Sequence, residues 1–256
     1  MELRMYHKLN YIITCLFCML FAANATAEVL HCEAMLPKTL QIPAIDQCNQ
    51  KIVYVPQSEE KYYNTPLFDA NLTEMVLKNN NFGASIFFLP NHEKKIVYRS
   101  ANLAGSPLCL YTLVNKYHVK TIINLISTET GHGPQLKILE ESLFQTIGGQ
   151  NYIHILNYQV TPGITIINDN LFQNITNIIK QIINTDGDVL VHCLAGAHDT
   201  GTVFGIMQKC YNKLPIDMIK KNAACHMGSQ NYSYQKKVFD LVSQIIDQYP
   251  CSLLQN

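Results

Sequence analysis

Apolar runs alternate along this chain between strand-like and helix-like spacing. From residue 28 to 60 neither holds: Pro37, Pro43 and Pro56 interrupt scattered polar residues, so no long element is expected there. A helix is predicted over Leu67 to Leu77 and a short apolar strand over Ala84 to Leu89. Lys95-Ile96-Val97-Tyr98-Arg99-Ser100-Ala101 predicts a second strand ending in a turn. Ser106-Pro107 then reads as a helix start, with Ser106 as N-cap and Pro107 at the first helical position, and the helix runs to about Tyr117. The β-branched run from Val119 to Ile126 predicts a buried strand. A helix over Gln135 to Thr146 and a strand over Tyr152 to Leu156 follow. Leu171, Ile175, Ile178, Ile179 and Ile182 then mark a helix over Asn170 to Asn184. Asp188 to His192 is the next strand, and three helices close the chain at Thr200–Tyr211, Ile216–Cys225 and Tyr232–Tyr249. This order predicts an N-terminal extension, residues 28–83, and one α/β domain, residues 84–256, with a mostly parallel central sheet flanked by helices.

Composition agrees with a packed core: 48% of the residues are hydrophobic and 15% charged. The length of 256 residues fits one large domain or two small ones. Residues 1–27 read separately. Arg4, His7 and Lys8 give a positive start, Tyr11 to Ala23 is an apolar run of thirteen residues, and Ala25-Thr26-Ala27 supplies the small residues of a cleavage site. Crossing a bilayer takes about twenty apolar residues. The run therefore predicts a cleaved signal peptide, a secreted or periplasmic product, and no stable membrane anchor once the signal is removed. Without it the chain keeps 17 basic and 18 acidic residues, which gives no support to a nucleic-acid or acidic-membrane partner. Cys15 and Cys18 leave with the signal. Cys32, Cys48, Cys109, Cys193, Cys210, Cys225 and Cys251 remain, an odd number that in an oxidising compartment implies pairs plus one free thiol. The connectivity is not readable from spacing; Cys32 with Cys48 is the economical local pairing. Asn71, Asn174 and Asn231 each open an Asn-X-Ser/Thr triplet, which has meaning only in a source that glycosylates.

The candidate chemistry gathers in Val189-Leu190-Val191-His192-Cys193-Leu194-Ala195-Gly196-Ala197-His198-Asp199-Thr200-Gly201. An apolar strand ends in His-Cys, a turn containing Gly follows, and a helix begins near Thr200. Backbone N–H groups and the positive end of that helix then face the turn, which makes a ready anion site. A Cys placed there is a thiolate candidate, and the motif makes Cys193 the choice for the free thiol. The stretch resembles the signature of cysteine-dependent tyrosine and dual-specificity phosphatases: His-Cys, five residues, Arg, then Ser or Thr. His192, Cys193, Gly196, Thr200 and Gly201 match, and Asp199 stands where that family has its Arg. Val97-Tyr98-Arg99-Ser100 before a helix, followed by Thr121-Ile122-Ile123-Asn124-Leu125, extends the resemblance over about residues 84–248.

The resemblance implies a phosphatase-like three-layer domain acting on a phosphorylated protein or a small phosphomonoester, with no cofactor and no metal. Cys193 would be the nucleophile of a phosphocysteine intermediate, Thr200 a hydroxyl donor to its thiolate, and His192 a support behind the loop. The peptide N–H groups of Leu194, Ala195, Gly196, Ala197, His198, Asp199 and Thr200 would cradle the phosphate, ahead of Gly201. Relatives acting on highly phosphorylated inositols carry lysines in this loop; here there are none, so a singly phosphorylated ligand fits better. The absent Arg is a planar fork that holds two phosphoryl oxygens. Removing one preorganised donor costs about 2.7–4 kcal/mol of transition-state stabilisation. An inward Asp199 carboxylate would also repel phosphate and disfavour the thiolate.

Substitutes are few. Arg99, the one arginine beyond residue 27, either reaches the pocket from its strand end or ties down a turn. His198 either lends charge when protonated or is a solvated loop residue. The segment Asn157 to Gly163, where the family keeps its general acid, holds no carboxylate. Asp169 is the nearest candidate, although its position suits an N-cap, and Glu129 is a more remote one. Two functions are therefore expected: an exported phosphatase impaired by loss of the Arg, or a pseudophosphatase that binds a phosphate ligand or a protein without efficient turnover. A metal site built from His192, Cys193, His198 and Asp199 lacks any paired CxxC or HxxxH. A cysteine peptidase pairing Cys193 with His154 or His226 leaves Gly196 and Thr200-Gly201 unexplained.

Overall fold

The computed structural model describes residues 32–49, 70–126, 133–228 and 233–255. The chain divides into two units, Met1–Leu30 and His31–Asn256, and every described residue belongs to the second. The expected signal peptide, Glu129 and Asn231 lie outside the described residues.

One five-stranded sheet carries the fold: β1 (Gly83–Phe88), β2 (Lys94–Ser100), β3 (Val119–Asn124), β4 (Asn151–His154) and β5 (Asp188–His192), in the order β1-β2-β5-β3-β4. β5 lies between β2 and β3 and runs parallel to both, β4 runs parallel to β3, and β1 alone is antiparallel, against β2. The helices among the described residues are α1 (Ala70–Asn79), α2 (Pro107–Asn115), α3 (Gly133–Thr146), α4 (Asp169–Asn184), α5 (Asp199–Cys210), α6 (Ile216–His226) and α7 (Ser233–Gln248). Each predicted element is present among the described residues, with its described ends within two residues of those expected; residues 67–69 and 232, at two expected helix starts, lie outside them.

Val189, Leu190 and Val191 read as a continuous apolar run because β5 is covered on both faces. Side chains alternate across a strand, so Val97, Ile123, Val189 and Val191 enter a larger core with α1, α4, α5, α6 and α7. Tyr98, Ile122 and Leu190 enter a smaller core with α2, α3, Ile45 and Cys48. This is the expected mostly parallel α/β sheet between two helical layers. Centring β5 brings its C-terminal end between those of β2 and β3, the place where parallel sheets build sites.

Residues 32–49 hold two 3-10 turns, Cys32–Met35 and Lys38–Leu40, which pack along the edge strand β1. Three disulfides form: Cys32–Cys225, Cys48–Cys109 and Cys210–Cys251. The local Cys32–Cys48 pairing is thus corrected. Residues 32–49 pass from α6 to α2, and each cysteine meets a partner distant in sequence. Two caps are corrected as well. Asn168, not Asp169, caps α4, its Oδ1 accepting the Leu171 N–H at 3.0 Å. Ser106 stands at the N-cap position of α2, but its hydroxyl accepts no helix N–H and donates to Asn80 Oδ1 at 2.5 Å. Among the described residues no helix is long and apolar enough to cross a membrane.

Candidate active site

His192 and Cys193 leave the end of β5 on opposite faces, as strand alternation requires. His192 turns into the smaller-core side, fully buried. Its Nε2 lies 2.8 Å from Glu140 Oε2 of α3, within ion-pair reach though off the axis of a good hydrogen bond. Glu140, also fully buried, accepts the Leu103 N–H at 2.6 Å and the Tyr152 hydroxyl at 2.7 Å. Burial and the Glu140 charge push the Tyr152 phenol far above its ordinary value. The His192 ring thus sits between the end of β5 and Glu140 of α3. Sequence reasoning missed Glu140, although a signal existed: Leu136, Glu140 and Phe144 fall on one buried face of α3 at spacings of four.

Cys193 turns toward α5. It is buried, and it is the free cysteine among the described residues. Burial and the neighbouring Asp199 push its thiol up from the ordinary range, more than the Thr200 hydroxyl and the amides of Thr200 and Gly196 pull it down. At neutral pH the group is a thiol.

The turn that follows has an ordered backbone. Leu194 O accepts the Asn102 N–H at 3.1 Å, Ala195 O accepts Asn81 Nδ2 at 2.8 Å, and Gly196 O accepts Arg99 Nη2 at 2.7 Å. Ala197 O and His198 O accept the N–H groups of Gly201 and Thr202 in the first turn of α5. The amides of Leu194, Ala195, Ala197 and His198 donate to no backbone carbonyl among the described residues. Gly196 is required here: its φ is +67°, and an added Cβ would collide with the Ser100 carbonyl and fall 2.7 Å from Ala101 N.

Asp199 does not replace an arginine fork. Its Oδ1 accepts the Val160 N–H at 2.6 Å, which pins the segment after β4 to the start of α5. Burial raises its carboxyl to about 7 against the opposing pull of that N–H. Arg99 is fully buried, with its guanidinium carbon 5.0 Å from the centre of the Phe204 ring. Burial lowers Arg99 to about 10, while the Glu33 carboxylate favours its charge. It ties down a turn, as one expectation had it, and the turn is the candidate site itself. His198 is not the solvated or charged residue expected. Its Nε2 lies 3.1 Å from Gln235 Oε1, and burial moves it below its ordinary value, so it is neutral.

Other candidates stand apart. Asp169 is exposed in the first turn of α4. His154 Nε2 lies 2.7 Å from Ile126 O, and His226, at the end of α6, lies 2.7 Å from Glu33. Neither is bonded to Cys193, so no peptidase pair forms. No group of three His, Cys, Asp or Glu among the described residues is arranged to hold a metal.

No protein-family model matches this sequence, and no curated protein matches it. Solved structures do resemble it, and they are cysteine-based, tyrosine-phosphatase-like proteins. The catalytic core of Siw14 is 19% identical over 62% of this chain and 83% of its own, with a TM-score of 0.45. TpbA of P. aeruginosa is 15% identical over 62% and 84%, with a TM-score of 0.43. A second TpbA structure, in complex with pTyr, is 14% identical over 62% and 83%, also at 0.43.

Proposed function

We propose that the Cys193 loop binds the phosphoryl group of a singly phosphorylated ligand, a protein or a small phosphomonoester, without efficient turnover. The observation that carries this reading is the loop backbone. Its carbonyls are engaged one after another, which leaves the amides of Leu194, Ala195, Ala197 and His198 and the N-terminus of α5 to receive an oxyanion. The roles of Thr200 and Gly201 belong to the same reading, as the residues that start the helix against Cys193.

Weak turnover follows from the charges. Attack needs a thiolate, and the buried thiol beside Asp199 is held protonated. The transition state needs a donor fork in front of the phosphoryl oxygens. Arg99 spends its contact on a loop carbonyl, and Asp199 supplies no donor. The leaving oxygen needs an acid, and Asp169 is exposed with no bond to this loop. Three disulfides, together with the signal-like residues 1–27, support a secreted or periplasmic protein.

Calorimetry with phenyl phosphate tests the site, and hydrolysis of the same compound by the parent, Cys193→Ser and Asp199→Arg proteins tests the turnover. The expected result is binding in the parent with little hydrolysis, and a gain in Asp199→Arg of up to about a hundredfold to a thousandfold. Hydrolysis by the parent that vanishes in Cys193→Ser would sink the binding-only reading. No binding at all would remove the anion site.

A further inference from the structure

The Cys32–Cys225 disulfide places two polar neighbours side by side: Glu33, next to Cys32, and His226, next to Cys225. Glu33 Oε1 lies 2.7 Å from His226 Nε2, and His226 Nδ1 lies 2.8 Å from Asn81 Oδ1. Asn81 Nδ2 donates to His226 O at 2.9 Å and, on the other side, to Ala195 O at 2.8 Å. Both His226 ring nitrogens face acceptor oxygens, so both contacts are hydrogen bonds only when the imidazole carries two protons, a state the Glu33 carboxylate favours and burial and Arg99 oppose. A continuous chain of contacts therefore runs from residues 32–33 to the turn after Cys193. Asn81 and His226 are 1% exposed, so water does not compete for these bonds. The Glu33 carboxylate lies against Gly83, which has no side chain to displace it.

The Glu33 charge also bears on the residue that holds the next carbonyl. Burial alone would raise the Glu33 carboxyl, but His226 and Arg99 draw it below its ordinary value, so it is ionised. That charge favours the protonated Arg99, and Arg99 holds Gly196 O. A buried guanidinium without a compensating carboxylate is costly, and Glu33 is the carboxylate that acts on it.

We propose that Glu33 is a positioning residue of the ligand loop. Fastened by the Cys32–Cys225 disulfide, it fixes the carbonyl of Ala195 through His226 and Asn81, next to the Gly196 carbonyl that Arg99 holds. The amides beside them then stay turned toward a bound oxyanion. Residues 32–33 are thus part of the site. The ligand in this inference rests on the anion-site reading; the chain of contacts does not.

The test uses the oxidised mature chain and two readouts. One is hydrogen exchange of the amides of residues 194–198, taken relative to those of β2, β3 and β5. The other is the Kd for phenyl phosphate. Glu33→Gln keeps the size and removes the charge. It is expected to speed loop exchange about tenfold and weaken binding about tenfold, the equivalent of 1.4 kcal/mol. Adding Asn81→Ala should go little beyond the larger single effect, because both act through one chain. Cys32→Ser with Cys225→Ser should reproduce the loop effect, while Cys210→Ser with Cys251→Ser should not. Loop exchange at the parental rate in folded Glu33→Gln protein overturns the proposal, as does full additivity with Asn81→Ala. If Glu33→Gln does not fold, the Cys32/Cys225 pair decides by the same exchange reading. Failure of the parent to bind phenyl phosphate would remove the ligand reading, and loop exchange would still judge the role of Glu33.

Discussion

Asp199 sets the chemistry at the scale of single residues. Its position in the first turn of α5 gives it the favourable end of a helix dipole, and the Val160 N–H adds a bond. Burial outweighs both and raises it to about 7. The unfolded value is near 3.9. Between those two values the native state holds a proton that the unfolded chain has released. The contribution of this group to stability is therefore greatest below about pH 4 and falls as pH rises through about 7. Asp199→Asn keeps the acceptor for Val160 and removes the ionisation. Urea unfolding at a series of pH values should show the parent losing on the order of 1 kcal/mol or more across that window, and the variant losing less. The same substitution takes a like charge from beside Cys193. The pH midpoint of Cys193 alkylation by iodoacetamide should fall by about one unit. An unchanged midpoint would mean that burial alone holds the thiol protonated.

The unit that matters among the elements is β5, the turn and α5. It is legible in the sequence because three independent patterns coincide there: an apolar run long enough for a covered strand, His-Cys at its end, and Gly and Thr at the spacing of a turn into a helix. The alternation of strands and helices before it is legible for the same reason, since each apolar face needs a partner. What surrounds the loop is not legible. Asn81 and Glu33 come from the end of α1 and from an aperiodic stretch, and their partners lie 145 and 193 residues away. Asp199 reads as a charge reversal facing the ligand, and only the fold turns its carboxylate to Val160. Gly196 tests whether the backbone geometry is the site. Gly196→Ala forces a side chain into φ +67° and against the Ser100 carbonyl. The conformation costs about 1–2 kcal/mol and the overlap about 1–3 kcal/mol. Urea unfolding should register that loss and calorimetry the disappearance of phenyl phosphate binding. Binding at parental strength would place the ligand elsewhere.

Covalent ties distribute stability over the described body as a whole. The parallel pairing of β2, β5, β3 and β4 joins segments far apart in sequence, and such contacts are slow to form and leave the open chain with much entropy to lose. The disulfides close loops of 193, 61 and 41 residues, and each removes part of that entropy. Two of them fasten residues 32–49 beside β1 and the ligand loop. The third, Cys210–Cys251, acts at the far end of α5, where Lys209 Nζ also donates to the carbonyls of Ile246, Asp247 and Tyr249 at 2.8–2.9 Å. That corner packs α5 against α7 through Gly205, whose missing side chain leaves room for Ile246. Nothing in it touches the carbonyls of Leu194, Ala195 or Gly196. Replacing Cys210 and Cys251 by Ser should therefore lower the unfolding free energy by about 2–4 kcal/mol in urea while leaving the phenyl phosphate Kd at its parental value. A matching loss of affinity would mean that α5 transmits strain along its length, and that the site depends on the whole body rather than on the segment clamped at Cys32.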